Sequence, residues 1–199
     1  MDAQMRSCSM TPDDRDIMQR VQAGEVELFE QLVMRYRPAL VRVAASKLDD
    51  AIAAEDVVQE TLLAAFAARG TYRPEFSFST WLWTILLNGC RRHLTGRARQ
   101  SLPALSAAVD YAGDGWLRQI EHETGLSRLL AAERTELLHR LLQELPEPQA
   151  DALRLRFFAG LTFPEIAEAM QCSRNGARLR VQTGLQTLAS RLRAEEVDP

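Results

Sequence analysis

A chain of 199 residues, 46% of them hydrophobic, is long enough for one large or two small domains with buried cores. The net charge of −3 excludes a uniformly basic nucleic-acid coat, and three widely spaced cysteines, Cys8, Cys90 and Cys172, exclude a disulfide framework and favour a reducing compartment. No apolar run is long enough to span a bilayer and the N-terminus lacks a signal-peptide pattern, so we expect a cytoplasmic protein without membrane insertion. Few β-branched runs and no alternating strand pattern predict an all-α fold.

The first part of the chain is predicted to contain helices behind a short disordered segment. Residues 1–13 are polar and rich in Met and Ser, which is typical of a disordered terminus. From Asp14 to Lys47, apolar residues recur at helical spacing and are interrupted by Gly24 and Pro38. We therefore expect a short helix, a break near Gly24, and a longer helix that is kinked or restarted at Pro38.

The next predicted helix is capped by Asp50, runs through Ala68 and carries two separate stripes. One stripe is an ordinary core face, made of Ala54, Val58, Leu62, Ala65 and Phe66. The other stripe, which we call the docking strip, combines polar and aliphatic residues on a different side of the helix: Ile52, Asp56, Gln59, Glu60 and Leu63. Carboxylates bordered by aliphatic residues suit a protein partner that offers Arg or Lys. A solvated acidic face with two stray apolar residues is the alternative.

A loop rich in aromatic and hydroxyl groups runs from Thr71 to Ser79 and precedes a helix predicted from Thr80 to about Thr95, with Ser79 as its cap. Aromatic residues are concentrated here, at Tyr72, Phe76, Phe78, Trp81 and Trp83. A basic block follows, at Arg91, Arg92, His93, Arg97 and Arg99. We expect some of the rings, Trp81 and Trp83 above all, to lie in the core. The others suit the capture of unstacked bases, because stacking is worth about 1–3 kcal/mol per base.

A linker and a second helical module are predicted in the C-terminal half. Residues 100–125 are rich in Ser, Pro, Gly and acids, which predicts a flexible linker. Helical periodicity then returns, and residues 126–193 are predicted to form four helices, followed by a tail at residues 194–199. The sequence therefore predicts two small helical domains, the first of which covers residues 14–99.

The last two helices have the pattern of a helix-turn-helix. Thr162 and Glu165 form a capping box at the start of the first helix, the chain breaks at Gln171, and Ser173 caps the second helix. Ala167 is small enough to let the two helices approach. A row of arginines that suits a phosphate-lined groove follows on the second helix: Arg174, Arg178, Arg180, Arg191 and Arg193. A solvated amphipathic helix pair is the alternative.

Several motifs occur together in an informative order. They are Phe29-Glu-Gln-Leu-Val with Tyr36-Arg-Pro, Glu55-Asp56-Val-Val-Gln59-Glu60-Thr, Phe78-Ser-Thr-Trp81-Leu with Ile85 and Asn88, Leu145-Pro146, and Gly160-Leu-Thr-Phe-Pro-Glu165-Ile-Ala-Glu168. In this order and spacing, the chain resembles the extracytoplasmic-function (ECF) subfamily of bacterial sigma factors. The resemblance covers most of the chain, from about Gly24 to Arg193, although each motif alone is common.

The resemblance implies a role for each of these surfaces. Residues 14–99 would be sigma region 2, residues 126–193 would be sigma region 4, and the linker would thread toward the polymerase active-site channel. The docking strip would bind core RNA polymerase. A flipped base of the promoter −10 element and the DNA next to it would be bound by Phe76, Ser77, Phe78, Ser79, Asn88, Arg91 and Arg92. The −35 element would be bound by Ser173, Arg174, Asn175, Arg178, Arg180 and Gln182.

The resemblance also has implications for catalysis, cofactors and binding partners. It would catalyse no reaction, would need no cofactor or metal, and would have promoter DNA, core RNA polymerase and an anti-sigma protein as partners. Cys90 and His93 are one helical turn apart, but two ligands without a second pair are weak evidence for zinc. No histidine has a partner set at catalytic spacing.

Three departures from the family pattern predict a −35 contact that is weaker or differently specified. Gln171 stands where the family usually has Gly, so it would need a left-handed backbone conformation at a cost of roughly 1 kcal/mol. Ala177 and Val181 stand where the family usually has Val and Leu. The usual basic run is replaced by residues 182–186, Gln-Thr-Gly-Leu-Gln, in which Gly184 weakens the helix by roughly 0.5–1 kcal/mol. A helix-turn-helix regulator that binds an operator, and a sigma-like decoy for an anti-sigma protein, are the alternative functions.

Overall fold

The computed structural model describes residues 13–99 and 136–197, and all regular structure within these residues is helical. The N-terminal module contains α1 (Asp14–Gln22), α2 (Phe29–Leu48), α3 (Ala51–Ala67) and α4 (Phe78–Arg99), with single 3₁₀ turns at Val26–Leu28 and Arg69–Thr71. The C-terminal module contains α5 (residues 136–143), α6 (Glu147–Phe157), α7 (Phe163–Ala169) and α8 (Arg174–Val197). The all-α prediction is confirmed. The expected linker at residues 100–125 lies outside the described residues, as does the N-terminal segment up to residue 12.

The N-terminal module begins much as the sequence predicts. Gly24 has φ +114°, a conformation that L side chains rarely adopt, and it separates α1 from the next turn. The helix α2 continues through Pro38 without restarting. Leu40 and Val43, which follow the proline, are completely buried, so packing holds this part of the helix in place.

The helix α3 has the predicted cap and the predicted core face. The Oδ1 atom of Asp50 accepts a hydrogen bond from the backbone N–H of Ala53 at 3.0 Å. Ala54, Val58 and Ala65 are buried against the rest of the module. The acidic stripe is therefore left on the other side of the helix.

The helix α4 starts earlier and ends later than the sequence predicts. Ser79 is not its cap, because the helix begins at Phe78 and continues past Thr95 to Arg99. The carbonyl of Ser77 accepts a hydrogen bond from the backbone N–H of Trp81 at 3.2 Å and one from the Thr80 hydroxyl at 3.0 Å. Ser79 therefore lies within the first turn, where the burial of Phe78 against the module core favours helix over loop.

The C-terminal module contains the predicted four helices and the helix-turn-helix. The Glu165 carboxylate accepts the backbone N–H of Thr162 at 2.8 Å, as a capping box requires. Ala167 is buried between α7 and α8. Gln171 has φ +51°, which confirms the left-handed turn. Ser173 Oγ accepts the backbone N–H of Gly176 at 3.0 Å, which confirms the cap of the second helix.

The two modules pack against each other, which the sequence does not predict. The helix α2 contacts α6, and α4 contacts α7. Lys47 at the end of α2 and Asp151 of α6 are both almost fully buried where the modules meet. The interface between the two modules therefore contains buried charged groups.

Candidate nucleic-acid interface

The loop between α3 and α4 is held by a cluster of aromatic rings. The ring of Phe78 packs against Tyr36, Tyr72 and Trp81, with centroid distances of 5.5, 5.9 and 5.8 Å. The hydroxyl of Tyr72 donates a hydrogen bond to the carbonyl of Phe76 at 2.9 Å. Burial raises the pKa of Tyr72, so the phenol keeps the proton that it donates. The aromatic cluster therefore holds the loop in place from the side that faces the core of the module.

The same cluster leaves Phe76 on the surface. Its side chain is 51% exposed, whereas Phe78 is 2% exposed. The burial of Phe78 does not fit the prediction that its ring meets a base, because its faces are occupied by other rings. Ser77 and Ser79 are partly buried at the start of α4. Trp83, at 1% exposed, lies in the core as expected, whereas Trp81 is only partly buried.

A cavity of about 310 Å³ opens beside Phe76. Its walls combine rings with hydroxyl groups and one charge of each sign, and they are formed by Thr71, Tyr72, Arg73, Phe76, Thr80, Trp81, Thr84 and Glu168. This volume lies in the range of sites for small organic ligands. Apolar walls with a few hydrogen-bonding groups are suited to hold a flat heterocycle such as a base.

The predicted basic residues lie farther along α4. Asn88, Arg91 and Arg92 are all exposed, and the spacing of three and four residues places them on one side of the helix. The Nη1 atom of Arg91 donates a hydrogen bond to Oδ1 of Asn88 at 3.2 Å. The side chains of Arg97 and Arg99 lie outside the described part of the chain. The cavity beside Phe76 and the exposed basic side of α4 therefore lie on consecutive elements of the chain, the loop before α4 and α4 itself.

The docking strip is exposed along its whole length, as predicted. Ile52 and Leu63 are 64% and 62% exposed, and the three polar members between them are also exposed. The strip borders a groove of about 360 Å³ between α2 and α3. The part of the groove contributed by α2, including Phe29, Val33 and Arg37, was not predicted, because periodicity within α3 carries no information about a neighbouring helix.

Most of the residues predicted to bind the −35 element lie on the exposed side of α8. Arg174, Arg178 and Gln182 are exposed and follow one another at intervals of four residues, with Ser173 and Asn175 exposed beside them. Arg180 is only partly buried and lies off this line. Farther along, Arg191 is paired with Glu144 of the same module. Two of the predicted arginines, Arg174 and Arg178, are therefore exposed in the first two turns of the helix.

The remaining functional predictions concern metals and membranes. The thiol of Cys90 is buried, and burial raises its pKa to about 11, so the thiol is protonated at neutral pH. Within residues 13–99 and 136–197, no group of three His, Cys, Asp or Glu residues is placed to hold a metal ion. None of the helices in these ranges is both long and apolar enough to cross a bilayer.

Comparison with protein families matches both modules. Residues 32–100 match the model for Sigma-70 region 2, and residues 135–188 match the model for Sigma-70, region 4. The RNA polymerase sigma-H factor of Pseudomonas aeruginosa is 34% identical over 171 residues, which cover 84% of this chain and 88% of the relative. The ECF RNA polymerase sigma-E factor of Escherichia coli is 29% identical over the same length and with the same coverage.

Solved structures have the same fold. CnrH, determined in complex with the cytosolic domain of CnrY, aligns with a TM-score of 0.67 at 24% identity and covers 91% of this chain and 97% of its own. The sigma factor RpoE of Bartonella quintana, determined in complex with the anti-sigma factor NepR, aligns with a TM-score of 0.64 at 24% identity and covers 86% and 98%. The alignments extend across both modules.

Proposed function

The chain belongs to the ECF subfamily of sigma factors and directs RNA polymerase in promoter recognition and transcription initiation, and we propose which of its surfaces carry out each part of that work. Sigma factors are not enzymes, so the chain contributes binding free energy to promoter opening while the polymerase performs the chemistry. A simple operator-binding regulator does not account for the match to region 2.

The −10 element binds to the loop before α4 and to the exposed side of that helix. The observation that carries this assignment is the exposed ring of Phe76 at the rim of the cavity, with Arg91 and Arg92 exposed farther along the same helix. Removing a base from the duplex costs a few kcal/mol, and stacking on an aromatic ring returns about 1–3 kcal/mol of it. Arg91 and Arg92 hold the phosphates of the same strand, and Asn88 meets the adjoining duplex. Phe78 acts from beneath, by fixing the loop, together with Ser77 and Ser79.

Core RNA polymerase binds to the docking strip and the groove beside it. Protein interfaces typically have an apolar centre and a polar or charged rim. Exposed apolar side chains next to carboxylates match this pattern. Ile52 and Leu63 supply the buried centre, and Asp56, Gln59 and Glu60 supply the rim. The solvated-face alternative leaves the groove between α2 and α3 unexplained.

The −35 element binds to the first three turns of α8. A helix-turn-helix places its second helix in the major groove with the N-terminal residues on the base edges. Arg174, Arg178 and Gln182 point from one side of that helix, so they meet the groove, while Ser173, Asn175 and Arg180 contact the adjoining backbone. Because the later arginine Arg191 is paired with Glu144, this contact is small.

An anti-sigma protein is a further partner in this proposal. The sigma factor RpoE of Bartonella quintana, which has the same fold, was determined in complex with the anti-sigma factor NepR. The exposed apolar residues of the docking strip offer such a protein a surface that it would share with the polymerase. We place the chain in the cytoplasm, because its partner, core RNA polymerase, works in the cytoplasm.

Reconstituted holoenzyme provides the test of function. Promoter fragments are selected from genomic DNA by core polymerase saturated with this chain, sequenced, and used as templates for run-off transcription. We expect a shared −10 sequence among the selected fragments and a less constrained −35 sequence. A chain that binds an anti-sigma protein but gives no promoter-dependent transcripts would instead be a decoy.

A further inference from the structure

The first helix, α1, packs against the elements that carry the −10 surface. It contacts α2, α4 and the 3₁₀ turn at Arg69–Thr71. Its buried face is apolar and attaches the helix to the core of the N-terminal module, through Ile17, Met18 and Val21. This face does not account for two polar side chains, Asp14 and Gln22, which lie at opposite ends of α1 and make hydrogen bonds to other elements.

Gln22, the last residue of α1, holds the backbone where the loop before α4 begins. Its Nε2 atom donates hydrogen bonds to the carbonyl of Arg69 at 2.8 Å and to the carbonyl of Tyr72 at 2.9 Å. The two acceptors lie 47 and 50 positions farther along the chain. Arg69 opens the 3₁₀ turn and Tyr72 follows it. One side-chain amide therefore joins the end of α1 to both ends of this turn.

The side chain of Tyr72 carries this constraint to Phe76. Tyr72 is buried, at 4% exposed, and its hydroxyl donates a hydrogen bond to the carbonyl of Phe76 at 2.9 Å. Gln22 thus fixes the backbone of Tyr72, and the phenol of Tyr72 fixes the backbone of Phe76. Two hydrogen bonds in series connect α1 with the residue whose ring is exposed at the cavity. A change at Gln22 is therefore expected to alter the position of the Phe76 ring.

Asp14, in the first turn of α1, acts on the same aromatic cluster from the other end of the helix. Its carboxylate accepts a hydrogen bond from the hydroxyl of Tyr36 and pairs with Arg35. Burial and the Asp14 carboxylate raise the pKa of Tyr36, so the phenol stays protonated at neutral pH and keeps donating. The ring of Tyr36 packs against Phe78 at a centroid distance of 5.5 Å. Both polar ends of α1 are therefore connected to the cluster that holds the loop.

We propose that α1 belongs to the −10 surface and that Gln22 is a positioning residue, which holds the loop in the form that presents the Phe76 ring to an unpaired base. This role rests on the −10 assignment of the proposed function, and Gln22 acts through Tyr72 rather than by contact with the base. The match to Sigma-70 region 2 covers residues 32–100 and does not include α1. A loop held in its binding form strengthens binding, because it loses less conformational freedom when the base arrives.

Run-off transcription by holoenzyme, from a duplex promoter selected with the same holoenzyme, tests this role. Gln22→Met keeps the length of the side chain but removes two hydrogen bonds, and it should lower transcription about fivefold or more. Gln22→Glu, which turns a carboxylate toward two carbonyls, should have at least as large an effect. The matched controls are Gln19→Met and Gln19→Glu, because Gln19 is exposed on the same helix three residues earlier. Both controls should stay within about twofold of wild type.

A double variant separates positioning from a general loss of structure. If Gln22 acts through Phe76, adding Gln22→Met to Phe76→Ala should lower transcription by no more than about a further twofold. Hydrogen–deuterium exchange should become faster at the amide of Phe76, which donates to the carbonyl of Arg73 at 3.0 Å, and should be unchanged in α3. The affinity of Gln22→Met for core polymerase should match wild type, since the docking strip lies on α3.

The results distinguish the role of Gln22 from the −10 assignment. If Phe76→Ala impairs transcription but Gln22→Met does not, the positioning role is wrong and the −10 assignment stands. The same conclusion follows if the defects of Gln22→Met and Phe76→Ala multiply, or if Gln22→Met weakens binding to core polymerase, because Gln22 then supports the module as a whole. If Phe76→Ala has no effect in holoenzyme, the −10 assignment is wrong, and so is the role of Gln22.

Discussion

Gly184 of α8 faces Leu153 of α6 so closely that a methyl group on Gly184 would lie 2.9 Å from Cδ1 of Leu153. Leu153 is a core residue, 3% exposed, and cannot move aside without disturbing its neighbours. The sequence suggests only that Gly184 weakens a helix that should contact DNA. The structure shows that it permits the close packing of α6 and α8 and that it faces the protein interior.

Gly184→Ala should therefore destabilise the C-terminal module. Overpacking a core typically costs about 1–3 kcal/mol, and this outweighs the gain of about 1 kcal/mol expected from helix propensity. Gly96→Ala is the matched control, because Gly96 lies in α4 with no atom within 4 Å of the added carbon and should gain about 0.5–1 kcal/mol. Denaturant unfolding gives both values. Equal gains from the two substitutions would show that the contact with Leu153 imposes no constraint.

Gln171→Gly should stabilise the helix-turn-helix by about 0.5–1 kcal/mol. The left-handed conformation of Gln171 is unfavourable for a residue with a β-carbon, and Gly adopts it freely, although Gly also raises the entropy of the unfolded chain. Gln171→Ala keeps the β-carbon and should bring no gain. The unfolding free energies of the three proteins provide the comparison, and a loss of stability in the Gly variant would contradict the account of the turn.

Leu63→Ala should weaken binding to core polymerase. An apolar side chain at the centre of an interface is typically worth more than about 1 kcal/mol when it is truncated, which corresponds to roughly a fivefold or greater loss of affinity. The fold should be unaffected, because Leu63 is 62% exposed in the free chain. Leu94→Ala, which truncates an exposed leucine of α4, is the control. Titration of labelled sigma factor with core polymerase measures the effect, and equal affinities would remove the docking strip from the interface.

Arg178→Ala should reduce transcription from promoters that carry a −35 element. A base contact by arginine is worth about 1–3 kcal/mol, so the expected loss is about fivefold or more. Arg193→Ala removes the same charge from the same helix, well beyond the first three turns, and should have little effect. Run-off transcription with both variants is the measurement. If Arg178→Ala initiates as well as wild type, the −35 surface lies elsewhere.

Features that depend on neighbouring residues in the chain were predictable from the sequence. The exposure of Ile52 and Leu63 follows from helical periodicity, and the caps at Asp50 and Ser173 follow from short-range hydrogen bonds to nearby N–H groups. The strain at Gln171 follows from the length of the turn. Each of these depends on a few consecutive residues, so a single sequence contains the necessary information.

Features that depend on distant residues were not predictable in this way. Lys47 and Asp151 are 104 positions apart, and nothing in the local pattern of either indicates a buried pair. Phe78 lies in a stretch whose composition predicts a loop, but its ring packs against Tyr36 of α2 and is part of the core. Similarly, nothing in the local pattern of α7 indicates that Glu168 contacts Thr80, 88 positions earlier in the chain, at 3.3 Å. Tertiary packing decides all three.

The most direct test of the central claim is run-off transcription by holoenzyme containing Phe76→Ala, on a duplex promoter and on the same promoter with a premelted −10 region. Loss of stacking on one base, about 1–3 kcal/mol, should lower transcription from the duplex about fivefold or more. The defect should be smaller on the premelted template, where no base has to be unpaired. Phe157→Ala, which truncates the 60% exposed phenylalanine of α6, should match wild type on both templates. Full activity of Phe76→Ala on the duplex promoter would contradict the account.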